Sequence, residues 1–411
     1  MPEFFNVVTP SQAWRTLDAH IQPLTGNEHI RVSAALERVI SQPLHAPVDL
    51  PAFPRATMDG YAVRASDTYG ASEGLPAYLE VTGEALMGQN AGIAVTPGKA
   101  VLIHTGGMLP EGADAVVMVE NVQRVDNLTL EVLRPVAPGE NMLRVGDDIK
   151  VNDLLFPAGH LLRPQDIGGL MALGITTVSV FLRPRVSIIS TGDEIVPPER
   201  DPMPGQVRDV NTYTLAALTQ RAGAIPLTQD IVPDDAEKLR QALVRNLARA
   251  EIVVISAGSS VSTRDMTTRV IDSLGKPGIL FHGISLRPGK PTIGAIVNDR
   301  PVFGLPGNPV SAMVVFDLLV KPAIWRIGGR TSFPETPIIK ARLTHNIASI
   351  TGREDYIPVK ILEQEGELRA EPIFGESNLI TTMIRADGMA QVPLDKNGLL
   401  AGETANIRLL E

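Results

Sequence analysis

Along most of the chain the apolar residues recur with periods that identify the element they belong to. In the first forty-five residues, Trp14, Leu17 and Ile21 mark one face of a helix that Ser11 can cap. Ser33 opens a second helical period through Leu36 and Ile40. Pro43, Pro47, Pro51 and Pro54 then impose an extended linker. From about 56 to 144 the period falls to two, in YLEVTGEAL, KAVLIHTGG, DAVVMVENVQRV and LTLEVL, as half-buried strands require. The stretch 154–182 reads strand, short helix, strand, and is expected to return and pack with the N-terminal helices. These readings predict a discontinuous α+β arm domain over 1–45 and 145–182, with a small β domain inserted at 46–144.

From Arg185 the texture is regular. RVSIIST and EIVVISAG are short, almost wholly apolar runs, as expected of parallel strands buried on both faces. NTYTLAALTQRAG reads as a helix capped by Asn211 and stopped by Gly223. PDDAEKLRQALVRNLARA opens with Asp234 and Glu237 at capping-box spacing. AIPLTQDIV, the helix DMTTRVIDSLG, ILFHGISL and PTIGAIV continue the pattern, and RPVFGL leads through PGNP into the apolar helix VSAMVVFDLLVKPAIW. Such alternation predicts a doubly wound α/β domain over 183–329, with helices on both faces of the sheet. The remainder, 330–411, is strand-rich with turn signals at Glu365–Gly366 and Asn397–Gly398, so a C-terminal β-barrel-like domain is expected. The fold class is α/β multi-domain.

Composition narrows the chemistry. At 411 residues the chain exceeds one ordinary core. It has no cysteine, which excludes disulfides, thiolate nucleophiles and Cys-ligated metals, and sets a cytoplasmic expectation. The seven histidines form no H-x-x-x-H or H-x-H pair, so a histidine metal centre is not expected. With 46 acidic against 37 basic residues, a net charge of −9, no basic run and 4% aromatics, no nucleic-acid partner is expected. The N-terminus lacks a basic leader with an apolar stretch, and no run is long enough to span a bilayer, so neither a signal peptide nor a membrane is expected.

In a doubly wound sheet, ligands bind at the carboxyl ends of the strands. Three small, polar loops fall there: Thr191-Gly192-Asp193-Glu194, Ala257-Gly258-Ser259-Ser260 running on to Asp265, and Pro306-Gly307-Asn308-Pro309 at the start of a helix. Each alone reads more readily as a turn, a serine-rich connector or a proline-started helix than as a binding loop. Three on one edge point to an anion, most simply a phosphate. Glu194, Asp265 and the Asp234–Asp235 pair lie at or beyond strand ends and could converge on a hard divalent cation, although Asp234 reads as well as a helix cap. Arg287 and Lys290 of RPGKP bring cations to the same edge. Elsewhere, Asp59-Gly60, Thr105-Gly106-Gly107 and the acidic turn GDDIK stand out, without a role on spacing alone.

Read together, PRATMDGYAVRASD, HTGGMLPEGADAVVMVE, GDDIK, STGDEI, PGQVRDVNTYTL, SAGSSVSTRD, LRPGKP and GLPGNPVSA resemble the molybdopterin molybdenumtransferase (molybdenum insertase) family, in order and over almost the whole chain. These are the MoeA-type enzymes, with the gephyrin E domain as a eukaryotic relative. The resemblance implies a molybdopterin-binding central domain and an elongated homodimer. It also implies a reaction in which molybdate is placed on the dithiolene of adenylylated molybdopterin (molybdopterin-AMP), with Mg²⁺ and release of AMP. The thiolates belong to the substrate, so a chain without cysteine suits that chemistry. On the same resemblance Asp59, Thr105, Glu194, Asp234, Asp265 and Arg287 are expected to be catalytic, and Asp59, Glu194, Asp265 and Asp148 to hold metal. Thr191, Gly192, Asp193, Asn211, Gly258, Ser259, Ser260, Lys290, Pro306, Gly307 and Asn308 are expected to bind the substrate, with Ser377 and Arg353 in its dimer-completed part. Asp59 is expected to approach the partner's α/β domain. An adenylyltransferase that hands over substrate and molybdoenzymes that accept product are implied partners. The family's SGGVSVG loop is here SAGSSVSTRD, its KPGKP begins with Arg287, and Gly283 replaces a frequent basic residue. These departures keep a tungstate-preferring insertase and a non-catalytic molybdopterin carrier or scaffold open as alternatives.

Overall fold

The structure, a computed structural model, describes residues 7–228, 231–257, 261–333, 337–364 and 366–410. Gly258, Ser259, Ser260 and Glu365 therefore lie outside the described residues. The chain divides into two compact units: Met1–Gln42, Ala158–Ile167 and Thr177–Glu411 form one, Pro43–Pro157 and Gly168–Thr176 the other.

The larger unit is built on a six-stranded sheet in the order Ile225–Thr228, Arg185–Ser190, Ile252–Ala257, Arg300–Pro306, Ile293–Val297, Pro277–His282. The first four strands run parallel; the last two pair antiparallel, which makes one edge a meander rather than a further βαβ unit. Alternation along the strands sorts the core. Val186, Ile188, Ile252, Val254, Phe303 and Leu305 face one apolar cluster, and Ile189, Val253, Ile255 and Val302 face the other. The first face is covered by Asn211–Arg221 and the long helix from Pro309, the second by Ala236–Leu247. The long helix contains a π turn over Phe316–Val320, directly before Pro322, which has no N–H to continue the α ladder.

Several local expectations are corrected. The first helix spans Pro10–Asp18 and its cap is Thr9, not Ser11, because Thr9 and Gln12 form the reciprocal capping box. No helix follows Ser33: only a 3-10 turn forms at Val32–Ala34, and Asn27–Arg31 pairs antiparallel with Thr177–Phe181. The 154–182 segment thus returns to a strand. Asp235 rather than Asp234 caps Ala236–Leu247, its carboxylate accepting from Lys238 N–H at 2.8 Å. Asn211 begins its helix without capping it, since its amide is used elsewhere.

The C-terminal residues form a closed five-stranded barrel, from Glu354–Gln364 through Glu367–Pro372, Ile338–Leu343, Thr404–Leu409 and Gly388–Val392 back to Glu354–Gln364. Leu286–Arg287 adds to it in parallel, Leu286 opposite Glu354 and Arg287 opposite Asp355. Tyr356, Met383 and Met389 share the apolar cluster of the α/β sheet. In the smaller unit, six strands order as Ala115–Met118, Gly60–Val63, Lys99–Ile103, Ala77–Ala85, Thr129–Val132, Val122–Arg124, with apolar clusters around Val117 and around Val101.

Candidate functional site

At the carboxyl ends of the parallel strands lies a buried polar network. Ser190 Oγ donates to Asp209 at 3.1 Å and lies 2.9 Å from Thr212 Oγ1, while Asn211 Nδ2 donates to Ser256 Oγ and to the Gly307 carbonyl, both at 2.7 Å. Asn211 therefore ties two strand ends together. Asp193 accepts from Asp234 N–H at 3.2 Å, and Thr191 N–H donates to Ser256 O at 2.9 Å. At Gly192 a Cβ would sit 2.7 Å from a Glu194 carboxylate oxygen, so a larger residue there would displace that carboxylate. The buried Thr191 hydroxyl and Asn211 carbonyl oxygen have no protein partner, an unusual state for polar atoms in a core.

Beside this edge opens a cleft of about 360 Å³ between the α/β sheet and the barrel. Arg287, Lys290, Pro306, Gly307, Asn308, Arg353 and Ser377 all line it. Its charge is arranged around Asp355, whose side chain is 2% exposed. Asp355 takes two hydrogen bonds from Arg353, at 2.6 and 2.9 Å, and lies 3.9 Å from Arg287. One buried acid thus holds two guanidinium groups, and Lys290 adds a third cation, leaving the cleft positive. Asn308 directs its amide to Ser377 Oγ at 2.7 Å, and Val310 N–H donates to Ser377 O. Pro309 has no N–H and that of Val310 is taken, so cations rather than the helix terminus dominate the attraction for an anion. Tyr356 forms part of the cleft wall; burial first, then Glu354, pushes its hydroxyl well above the ordinary range and keeps it protonated. Asp355, Tyr356, Asp209 and Ser256 were not singled out from sequence. Asp355 follows Arg353 by two positions, and that spacing on a strand was the available signal.

In the smaller unit, Asp59 Oδ1 accepts from Thr105 N–H at 2.7 Å and from Thr105 Oγ1 at 3.0 Å. Those two bonds, the backbone one first, hold the Asp59 carboxyl below its ordinary value. His104 lies 3.9 Å from the same oxygen and 3.1 Å from Glu84. Gly60 is required beside Asp59, because a Cβ would lie 1.9 Å from Val117 O on the adjacent strand. Asp148 is exposed in the same unit, its N–H donating to Leu50 O. Neither Glu194, Asp234 nor Asp265 lines the cleft, and among the described residues no three acidic or histidine side chains are grouped to hold a metal ion.

A doubly wound domain with a cationic cleft against a closed barrel, joined to a unit bearing an exposed, hydrogen-bonded aspartate, defines a multi-domain α/β protein. The chain belongs to the MoeA family of molybdenum-cofactor biosynthesis. Residues 8–174 match the MoeA N-terminal region (domain I and II), 187–326 a "Probable molybdopterin binding domain" and 340–410 the MoeA C-terminal region (domain IV). A protein of Methanocaldococcus jannaschii assigned to molybdopterin biosynthesis is 36% identical over 93% of this chain and 92% of its own. The molybdopterin molybdenumtransferase of Haemophilus influenzae is 30% identical, covering 93% of this chain and 94% of that one. The molybdopterin biosynthesis MoeA protein of Pyrococcus horikoshii superposes with a TM-score of 0.82 at 31% identity, over 98% of this chain and 100% of the other. No described helix is long and apolar enough to cross a membrane.

Proposed function

We propose that this chain is a molybdenum insertase: it takes molybdate and adenylylated molybdopterin, places the metal on the dithiolene sulfurs and releases AMP. One observation carries the reading. Arg287, Lys290 and Arg353 converge on a single cleft in which Asp355 is the acid buried beneath them, an arrangement suited to a tetrahedral oxyanion or a phosphate. Arg353 arrives preoriented by its bidentate pair and reorganises little when the anion enters. Magnesium usually takes one or two carboxylates together with substrate phosphates, so the lack of a three-carboxylate cage among the described residues is compatible with an ion brought in on the phosphoanhydride. Glu194, beyond the strand Arg185–Ser190, and Asp265, in the helix Val261–Asp272, would hold it, and its charge would ease departure of AMP. Asp59, with one oxygen satisfied by Thr105 and the other open, would act from the partner of a homodimer. An adenylyltransferase would supply the substrate and molybdoenzymes would receive the product.

The test is AMP release from adenylylated molybdopterin with Mg²⁺, with and without molybdate. Molybdate-stimulated release that collapses in Asp59→Asn and Glu194→Gln is the expected result. Tight binding of substrate with no release would leave a carrier, and stimulation by tungstate alone would change the metal.

A further inference from the structure

The cleft wall also carries two residues that the anion does not need. Phe374 and Glu376 line its wall on the loop between Glu367–Pro372 and Ile380–Ile384. Phe374 is 62% exposed, and Glu376 is exposed with no hydrogen bond or ion pair on its carboxylate among the described residues. The loop carrying them is pinned. Ile373 N–H donates to Pro358 O at 2.8 Å, Leu379 N–H to Glu376 O at 3.0 Å, and Ser377 accepts from Asn308 and Val310. Gly375 between them packs so closely that a Cβ would lie 2.8 Å from Thr382 Cγ2. The backbone that carries an aromatic ring and an unpaired carboxylate is therefore fixed at a cleft whose other charged groups are chiefly cations.

We infer that Phe374 and Glu376 form a subsite for the pterin ring, Phe374 stacking on its face and Glu376 accepting from its amino-pyrimidinone edge. This deepens the proposed function and rests on it. The chemistry selects the base. A pterin presents two adjacent donors, the ring N3–H and the 2-amino group, which fit the two oxygens of one carboxylate. Adenine, the other planar heterocycle of the substrate, sets an acceptor nitrogen beside its amino group, and that acceptor would face the carboxylate unfavourably. The pterin end and the oxyanion end of one elongated ligand are then read by opposite charges in one cleft.

The probes are 6-hydroxymethylpterin, which carries no phosphate, followed by its own fluorescence, and molybdate and AMP, followed by calorimetry. In Phe374→Ala and Glu376→Gln, pterin affinity is expected to fall about tenfold or more, with molybdate and AMP affinities unchanged. Unchanged pterin affinity in both variants, or a loss of AMP affinity in place of pterin affinity, overturns the inference while leaving the oxyanion reading standing. Failure of molybdate to bind the wild type, or binding indifferent to Arg353→Gln, sinks the proposed function instead, whatever the pterin does.

Discussion

The cleft and the Asp59 loop solve opposite problems with opposite means. In the cleft, cations must stay charged and close together, and a buried carboxylate, Asp355, makes that tolerable by holding two of them. On the loop, one carboxylate must stay ionised on an open surface, and two donors from a single residue, Thr105, suffice. The first depends on burial and ion pairing, so disturbing it should damage both binding and fold. The second depends on local hydrogen bonds alone, so disturbing it should spare the fold and affect chemistry only.

The sharpest way to break that contrast is turnover. Asp59→Asn should lower molybdate-stimulated AMP release about a hundredfold or more while molybdate affinity and the unfolding midpoint hold, because an amide oxygen still accepts from Thr105. An equal loss of affinity, measured by calorimetry, would merge the two regions. Next in size, Asp355→Asn should cost about 3 kcal/mol in urea unfolding and weaken molybdate binding as well, since Arg353 loses its anionic partner. A stable variant with intact affinity would show that the arginines need no buried acid. Asp166 belongs to neither region and is a reference for both. Burial opposes its ionisation, yet hydrogen bonds from Arg163 and His160 bring its pKa from 3.8 down to about 2. A carboxyl depressed in the folded state adds stability above its unfolded value and loses it as pH falls through the folded one. About 2 kcal/mol should therefore disappear between roughly pH 4 and pH 2, and Asp166→Asn should flatten that part of the curve. Smallest, Thr105→Val removes the side-chain donor and keeps the backbone one. The Asp59 carboxyl resonance should then titrate part of the way back towards the ordinary value, with no change in unfolding.

Most of the architecture was legible because burial on two faces leaves a mark: RVSIIS, IVVISA and RPVFGLP are short apolar runs whose residues alternate between two cores. Caps were read less well. Thr9, Ser11, Asp234 and Asp235 are all competent, and the winner depends on which neighbour completes the bond, as Gln12 does for Thr9. Of the site, Arg287, Lys290, Asn308, Arg353 and Ser377 were named from sequence and meet in one cleft. Asp355 escaped because an acid next to Glu354 on a strand reads as an exposed residue until the barrel closes over it. Asn211 was taken for a cap because its position suits one; only the folded sheet brings Ser256 and Gly307 within its reach.

The two-residue strand Leu286–Arg287 bears on how this protein can be cut into modules. It lies in the α/β half of the sequence, yet it hydrogen-bonds as an outer member of the barrel, with Glu354 N–H donating to Ser285 O at 3.0 Å. Severing the chain near residue 330 and expressing the halves separately would strip Glu354–Gln364 of that neighbour and expose its backbone. A transplanted barrel would need a surrogate for Ser285–Arg287, and an insertion between Arg287 and the sheet strand at Ile293 would have to be absorbed without shifting the register that sets the two arginines side by side.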